Sequence, residues 1–391
     1  MPKNYLDENV YTAAKKRMQD IFKTFPKTYI AFSGGKDSTV MLHLALEEAK
    51  SQNCLPLNVL FVDLEGQYNT TIQHIENVTL NSEDIDLHWV CLPLNLRNSV
   101  SVFQPHWRCW DPELSSLWIR PMPTHPQVIS NTEQYPFFKY GMEFEDFVYQ
   151  WGKWFANGEK CTCLLGIRSD ESLNRFFSVT TNGWNGKNWM SKASENLVFS
   201  YPIYDWRTED IWRYVGKQNI QYNKLYDYFY LCGISIHKMR ICQPYGDDQR
   251  QSLTYYKQIE PDTWNKVLKR VHGVNFGALY SNTAVLGRIK VELPEGLTWK
   301  EYTYTLLKSM PEITRHHYTN KIKTFLEWWE NNGFTLELIP DEGNLKLENR
   351  GKMPSWRRIC KCIIKNDWWC RGLGFGQTKR TYKTLYAKKT N

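Results

Sequence analysis

The stretch Tyr29-Ile30-Ala31-Phe32-Ser33-Gly34-Gly35-Lys36-Asp37-Ser38-Thr39-Val40-Met41-Leu42 decides the fold. Its first four residues are a short apolar run that follows Pro26, as expected of a strand buried in a parallel sheet. From Thr39 to Ala49 the pattern is helical. Between the two, a pair of glycines lets the backbone turn tightly and approach a ligand with no Cβ in the way. The first helical turn leaves amide hydrogens without intrahelical partners, and the helix dipole adds positive potential there. Ser33 and Ser38 contribute hydroxyls, and Lys36 a compact cation. Ser33, Gly34, Gly35, Lys36, Asp37 and Ser38 therefore predict an anion site whose natural ligand is a phosphate chain. Asp37 either caps the helix or orients a metal-bound water. The spacing is not the Walker pattern, which places four residues between its first two glycines.

Outward from this loop the alternation continues. Val10, Ala14, Met18, Ile21, Phe22 and Phe25 mark an amphipathic helix that Pro26 stops. Asn58–Val62 and His88–Leu92 read as further buried strands. Strand, helix and strand at this spacing predict an α/β chain with a doubly wound, mostly parallel sheet. Asp63 and Glu65, just past the second strand, suit either a magnesium ion and ribose hydroxyls or plain turn chemistry. Residues 95–140 carry six prolines (105, 112, 121, 123, 126 and 136) among Phe103, Trp107, Trp110 and Trp118. They read as an irregular insertion over the sheet edge, a lid by position. Cys161–Leu165 resumes the sheet and leads into Gly166-Ile-Arg-Ser-Asp-Glu-Ser172. Arg168 falls at the carboxyl edge, where open α/β sheets bind ligands, and a guanidinium there forks onto phosphate or sulfate. The alternatives are pairing with Asp170 or Glu171; Glu171 either orients Arg168 or holds Mg2+. In Thr208-Glu-Asp-Ile-Trp212, Thr208 suits a helix N-cap, and Trp206 and Trp212 suit core packing. Beyond 234 helical patterns and a basic tail from Lys379 take over. The expected division is a phosphate-binding domain over 1–233 and a mainly helical basic domain over 234–391.

Composition sets the outer limits. With 391 residues, 42% hydrophobic and 23% charged, the chain is globular and too long for one ordinary core. No apolar run reaches the ~20 residues of a membrane span, and the start, Met1-Pro-Lys-Asn, has no apolar signal core. Ten cysteines without a spacing framework point to reduced thiols and a cytoplasmic location. Cys161 and Cys163 share a strand face. Cys360, Cys362 and Cys370 lack the Cys-x₂₋₄-Cys spacing of zinc sites, so neither zinc nor an iron–sulfur cluster is expected. A net charge of +8 with 17 tryptophans suits nucleic-acid binding by phosphate contacts and stacking, or equally a solubilising surface around aromatic cores.

Ser33-Gly-Gly-Lys-Asp-Ser38 resembles the PP-loop of ATP pyrophosphatases and of phosphoadenosine phosphosulfate (PAPS) reductases. Phe61-Val-Asp-Leu-Glu-Gly-Gln-Tyr68 lies where that family lines its adenosine pocket. Leu165-Gly-Ile-Arg-Ser-Asp-Glu-Ser172 is similar to the family's Gly-Ile-Arg-x-x-Glu-Ser segment, and Tyr201–Tyr214 to its Pro-Ile-x-x-Trp-x-x-x-Asp-Ile-Trp motif. The resemblance implies an adenine nucleotide alpha-hydrolase-like fold, ATP or PAPS as ligand, and Mg2+. It implies α–β phosphate cleavage that adenylates an acceptor, with Lys36, Asp37 and Arg168 catalytic. Ser33–Ser38, Asp63, Glu65, Gly166, Arg168 and Arg240 would hold the nucleotide, and Asp37 and Glu171 the metal. The reductases' Glu-Cys-Gly-x-His segment is missing, Cys232-Gly233 being the nearest approach, which counts against thioredoxin-linked reduction. Met239–Asp248, Arg270–Gly277 and Lys365-Asn-Asp-Trp-Trp-Cys370 resemble a PAPS-reductase-like subgroup that includes the enterobacterial immunoglobulin-binding regulator type. That subgroup is often paired with a ParB-like protein, which implies a regulatory or mobile-element role as the alternative, with Arg240 and Gln243 candidates for closing on the nucleotide.

Overall fold

The computed structural model describes residues 6–172, 175–176, 179, 183–241, 245–246, 253–274, 293–335 and 339–375. Gln243, the end of the Arg270–Gly277 stretch and the basic tail from Lys379 lie outside them. The chain divides into two compact units. The first comprises Met1–Asn95, Arg108–Gln243 and Gln258–Thr263, the second Leu96–Trp107, Pro244–Lys257 and Trp264–Asn391. Residues 96–107 thus group with the C-terminal residues, a departure from the simple division at 233.

The first unit is a seven-stranded sheet in the order β6-β3-β2-β1-β7-β9-β8. Its central strands are β1 (Lys27–Ala31), β2 (Leu57–Val62), β3 (Ile85–Val90) and, on the other flank, β7 (Cys161–Leu164). All pair in parallel, as does β9 (Leu197–Ser200) with β7; only β8 (Met190–Lys192) runs antiparallel, on β9. Helices α1 (Val10–Thr24), α2 (Lys36–Ser51), α3 (Asn69–Thr79), α4 (Phe144–Ala156), α5 (Thr208–Lys217) and α6 (Leu225–Leu231) accompany the strands. A separate two-stranded sheet pairs β4 (Asn95–Arg97) with β5 (His106–Arg108).

The apolar runs are buried as their composition requires. Tyr29, Ile30, Val59 and Leu164 are fully buried, as are Trp89 of β3 and Trp151 of α4, whose ring packs edge-on against Tyr29. The proline-rich stretch is less irregular than expected. Val128–Ile129 forms strand β6 and extends the sheet beside β3. Helix α5 begins at Thr208 with Arg207 as its cap residue, one position earlier than the sequence indicated. Trp206 is core, its indole N–H bonded to the Val10 carbonyl at 3.0 Å, and Trp212 packs edge-on against Tyr222 and Tyr226.

The sheet order sets the position of the site. From β1 the chain winds through β2 and β3 on one side, and then returns through β7 and β9 on the other. The switch in direction falls between β1 and β7, and the loops leaving their carboxyl ends are residues 32–35 and 165–172. A crevice at such a switch point is where open α/β sheets take their ligands.

The described residues of the second unit are mainly helical. Trp299–Ser309, Glu312–Glu330 and Trp356–Ile364 gather Trp299, Tyr318, Phe325, Trp329, Ile359 and Ile363 into one core. No described helix is long and apolar enough to cross a membrane.

Candidate functional site

Gly34 carries the turn. Its φ of +71° is the left-handed conformation that favours glycine, and a Cβ there would come within 3.0 Å of Thr71 and 3.1 Å of Ile75. The Gly34 carbonyl accepts from the Asn223 side-chain amide at 3.1 Å, and the same Nδ2 reaches Thr71 Oγ1 at 3.0 Å. Gly35 is the cap residue of α2 with extended backbone. Ser33 Oγ and Ser38 Oγ lie 3.1 Å apart, and Ser38 Oγ donates to the Gly35 carbonyl at 3.0 Å. The Asp37 and Ser38 amides belong to the helix's first turn, which offers them no acceptor of its own. Ser33 is exposed, while Lys36 and Ser38 are buried.

The second loop meets the first at close range. A Cβ on Gly166 would sit 2.9 Å from the Asp37 carbonyl carbon and 3.0 Å from the Ser38 nitrogen, so only glycine fits against this peptide. Two residues on, the Arg168 guanidinium is 2% exposed. Its Nε donates to Asp37 Oδ1 at 2.6 Å, and Lys36 Nζ donates to Asp37 Oδ2 at 2.9 Å. One carboxylate thus sits between two cations at the head of a helix. Arg168 is held further by the Trp206 carbonyl at 3.4 Å and Thr208 Oγ1 at 3.3 Å. Asp170 and Glu171 stand back at 3.8 and 3.9 Å. The expected pairing of Arg168 with those two is present as longer ion pairs, beside a direct hydrogen bond to Asp37 that the sequence did not single out.

Several expected site residues serve elsewhere. Asp63 and Glu65 are fully buried. Asp63 accepts from Arg120 at 2.5 Å, the Trp89 indole at 3.1 Å and the Glu65 amide at 2.9 Å. Glu65 accepts from the amides of Trp110 at 2.6 Å and Ile119 at 3.1 Å. Of the two readings the sequence offered, ligand binding or local structure, these bonds supply the second: both carboxylates anchor the 108–120 segment to the end of β2. That segment is consequently tied down rather than a free lid. Glu171 pairs with Arg175 at 2.8 Å, and its carbonyl accepts from Arg240 at 2.6 Å. Arg240 braces the 165–172 loop from behind.

The residues proposed for magnesium do not fit a protein-held ion. Both Asp37 oxygens already face cations and Glu171 faces Arg175. Among the described residues no group of three or more His, Cys, Asp or Glu is placed to hold a metal. Burial pushes the Cys161 and Cys163 thiols up to about 12, whereas Cys54 is exposed and Cys232 half-buried.

Sequence reading missed the segment that holds the loop from the far side. Tyr226 Oη accepts the Lys36 amide hydrogen at 2.9 Å, and Asn223 grips Gly34. Both are buried. No motif marked them, because their sequence separation from the loop is about 190 residues and nothing in local spacing records a tertiary contact. Beneath α2, Thr39 Oγ1 bonds His74 Nε2 at 3.0 Å, and burial lowers the histidine to about 4, keeping it neutral.

A doubly wound sheet, a glycine loop at its switch point and a glycine-arginine loop opposite define an α/β protein of the nucleotide alpha-hydrolase-like fold class. Residues 27–232 match the phosphoadenosine phosphosulfate reductase domain, and residues 233–341 and 334–384 match a domain of unknown function (DUF3440). The chain is 38% identical over 390 residues to the uncharacterized protein YbdN of Escherichia coli (strain K12), across 97% of this chain and 94% of that one. It is also similar to two solved structures. One is phosphoadenylyl-sulfate (PAPS) reductase from Candida auris, 14% identical over 62% of this chain and 98% of that one, TM-score 0.32. The other is Candida glabrata FMN adenylyltransferase in complex with ATP, 16% identical over 58% of this chain, TM-score 0.32. The chain spans 62% of that adenylyltransferase. This chain belongs to the phosphoadenosine phosphosulfate reductase domain family.

Proposed function

We propose that the first unit binds ATP through its phosphates at Ser33–Ser38 and uses it to adenylate an acceptor. The observation that carries this reading is the pair of cations, Lys36 and Arg168, converging on Asp37 at the head of α2. An arriving phosphate competes for the same cations, beside the amides and hydroxyls of the loop. The family match to a sulfonucleotide enzyme domain supports an adenine nucleotide as the carrier of that phosphate.

In the reaction, an acceptor oxygen attacks the α-phosphorus and forms a new P–O bond. The bond from the α-phosphorus to the bridging oxygen breaks, and pyrophosphate leaves with the electron pair. The acceptor's proton passes to solvent. Lys36 and the loop amides stabilise charge gathering on the leaving pyrophosphate. Arg168 holds Asp37 and the phosphate in register.

Incubation with α- and γ-labelled ATP in magnesium buffer tests the reading. AMP-bearing product and pyrophosphate are expected, with both lost in Lys36→Ala. Release of ADP, or no turnover together with no ATP binding, overturns it. PAPS is the competing ligand, favoured by the name of the matched domain. A PAPS affinity well above that for ATP would move the reading to sulfonucleotide chemistry.

A further inference from the structure

Gly35 is buried, and three hydroxyls lie around the place its side chain would take. An ideal Cβ at Gly35 would lie 3.4 Å from Ser33 Oγ, 3.5 Å from Tyr226 Oη and 4.0 Å from Ser38 Oγ. The serines belong to the loop itself. The tyrosine comes from α6. Its ring is fixed edge-on against Trp212 at 5.2 Å, and the Lys36 ammonium lies 5.6 Å from the ring centroid. Its oxygen accepts the Lys36 amide hydrogen at 2.9 Å. Three residues earlier, Asn223 holds the Gly34 carbonyl and accepts the Leu225 amide at 3.0 Å. One short segment therefore grips the loop on both sides of Gly35.

A phenol oxygen that accepts from an amide still has its own proton to give. Burial raises the Tyr226 hydroxyl above its ordinary range, which favours the protonated, donating form. We propose that Tyr226 is the third hydroxyl of the phosphate site, donating to the bound phosphate while its lone pair holds the Lys36 amide in place. The proposal rests on the nucleotide reading above and deepens it: the ligand's phosphate is recognised by residues from two distant parts of the chain.

Calorimetric titration of the full chain with ATP and with inorganic pyrophosphate tests it. Tyr226→Phe keeps the ring and removes the hydroxyl. It should weaken both ligands by roughly tenfold, the usual scale for a hydrogen bond to a charged group. Trp212→Phe, which disturbs the same ring but spares its hydroxyl, should leave both affinities near wild type. Equal affinities in Tyr226→Phe and wild type would overturn the proposal. So would tighter binding by Tyr226→Phe, which would make the hydroxyl a competitor for the loop. Should Tyr226→Phe not fold, a fluorinated tyrosine placed at 226 carries the test. Its more acidic hydroxyl is a stronger donor and should tighten ATP binding at fixed pH, and an affinity equal to that of the wild type would refute the donor role. A wild-type chain that binds neither probe defeats the functional reading itself, whereas binding that ignores position 226 defeats only this inference.

Discussion

At Gly34 and Gly35, adjacent glycines do different work, and substitution separates them. Gly34→Ala forces a left-handed alanine into contact with Thr71 and Ile75. A loss of about 2 kcal/mol in urea unfolding is expected, from the backbone term plus crowding. Gly35 has ordinary φ, and its added methyl would meet the three hydroxyls at van der Waals distance. Gly35→Ala should therefore fold with near wild-type stability yet lose ATP binding in calorimetry. Arg168 has a third character. Arg168→Met strands Asp37 with one cation in place of two, and about 3 kcal/mol of stability should go with it, read by the same unfolding assay. The sequence made the glycines, Lys36 and Arg168 legible because each sits in a short stretch whose chemistry is local. Asp37 as the shared partner of both cations was not legible, since the choice among Asp37, Asp170 and Glu171 depends on a distance across two loops.

At the scale of elements, strands β1, β2, β3 and β7 were readable from their apolar runs, and β6 was not. Val128–Ile129 lies among prolines, and only pairing with β3 makes it a strand. The same stretch hides the function of Asp63 and Glu65. A carboxylate after a strand looks alike in sequence whether it faces a ligand or an internal arginine. The packing of Trp110, Ile119 and Arg120 over the end of β2 decides between them. Arg120→Met should cost about 3 kcal/mol by removing the guanidinium partner of the buried Asp63, while changing ATP affinity of the folded protein by less than about twofold. A larger loss of affinity would return these carboxylates to the ligand's side.

Across the whole molecule, each unit carries a neutral histidine shielded from water, His74 buried and His317 half-buried. His74 lies under α2, and His317 stacks on Trp368 with ring centroids 3.6 Å apart; burial lowers each to about 4. The unfolded chain therefore binds more protons than the folded one between pH ~6.5 and ~4. Stability is fully present above that window and is lost as pH falls through it, by up to roughly 3 kcal/mol for each ring. Urea midpoints measured from pH 7 to pH 4 should fall, and His74→Gln should flatten the slope.

The cradle is assembled from pieces that leave the ribosome far apart in time. Residues 33–38 emerge early, but Gly166 and Arg168 seal their outer face, and Asn223 and Tyr226 fasten the turn itself. A nascent chain halted after Val90 would already display the whole glycine loop with none of these supports. The native geometry of the loop is therefore fixed only once residues near the end of the first unit have joined it.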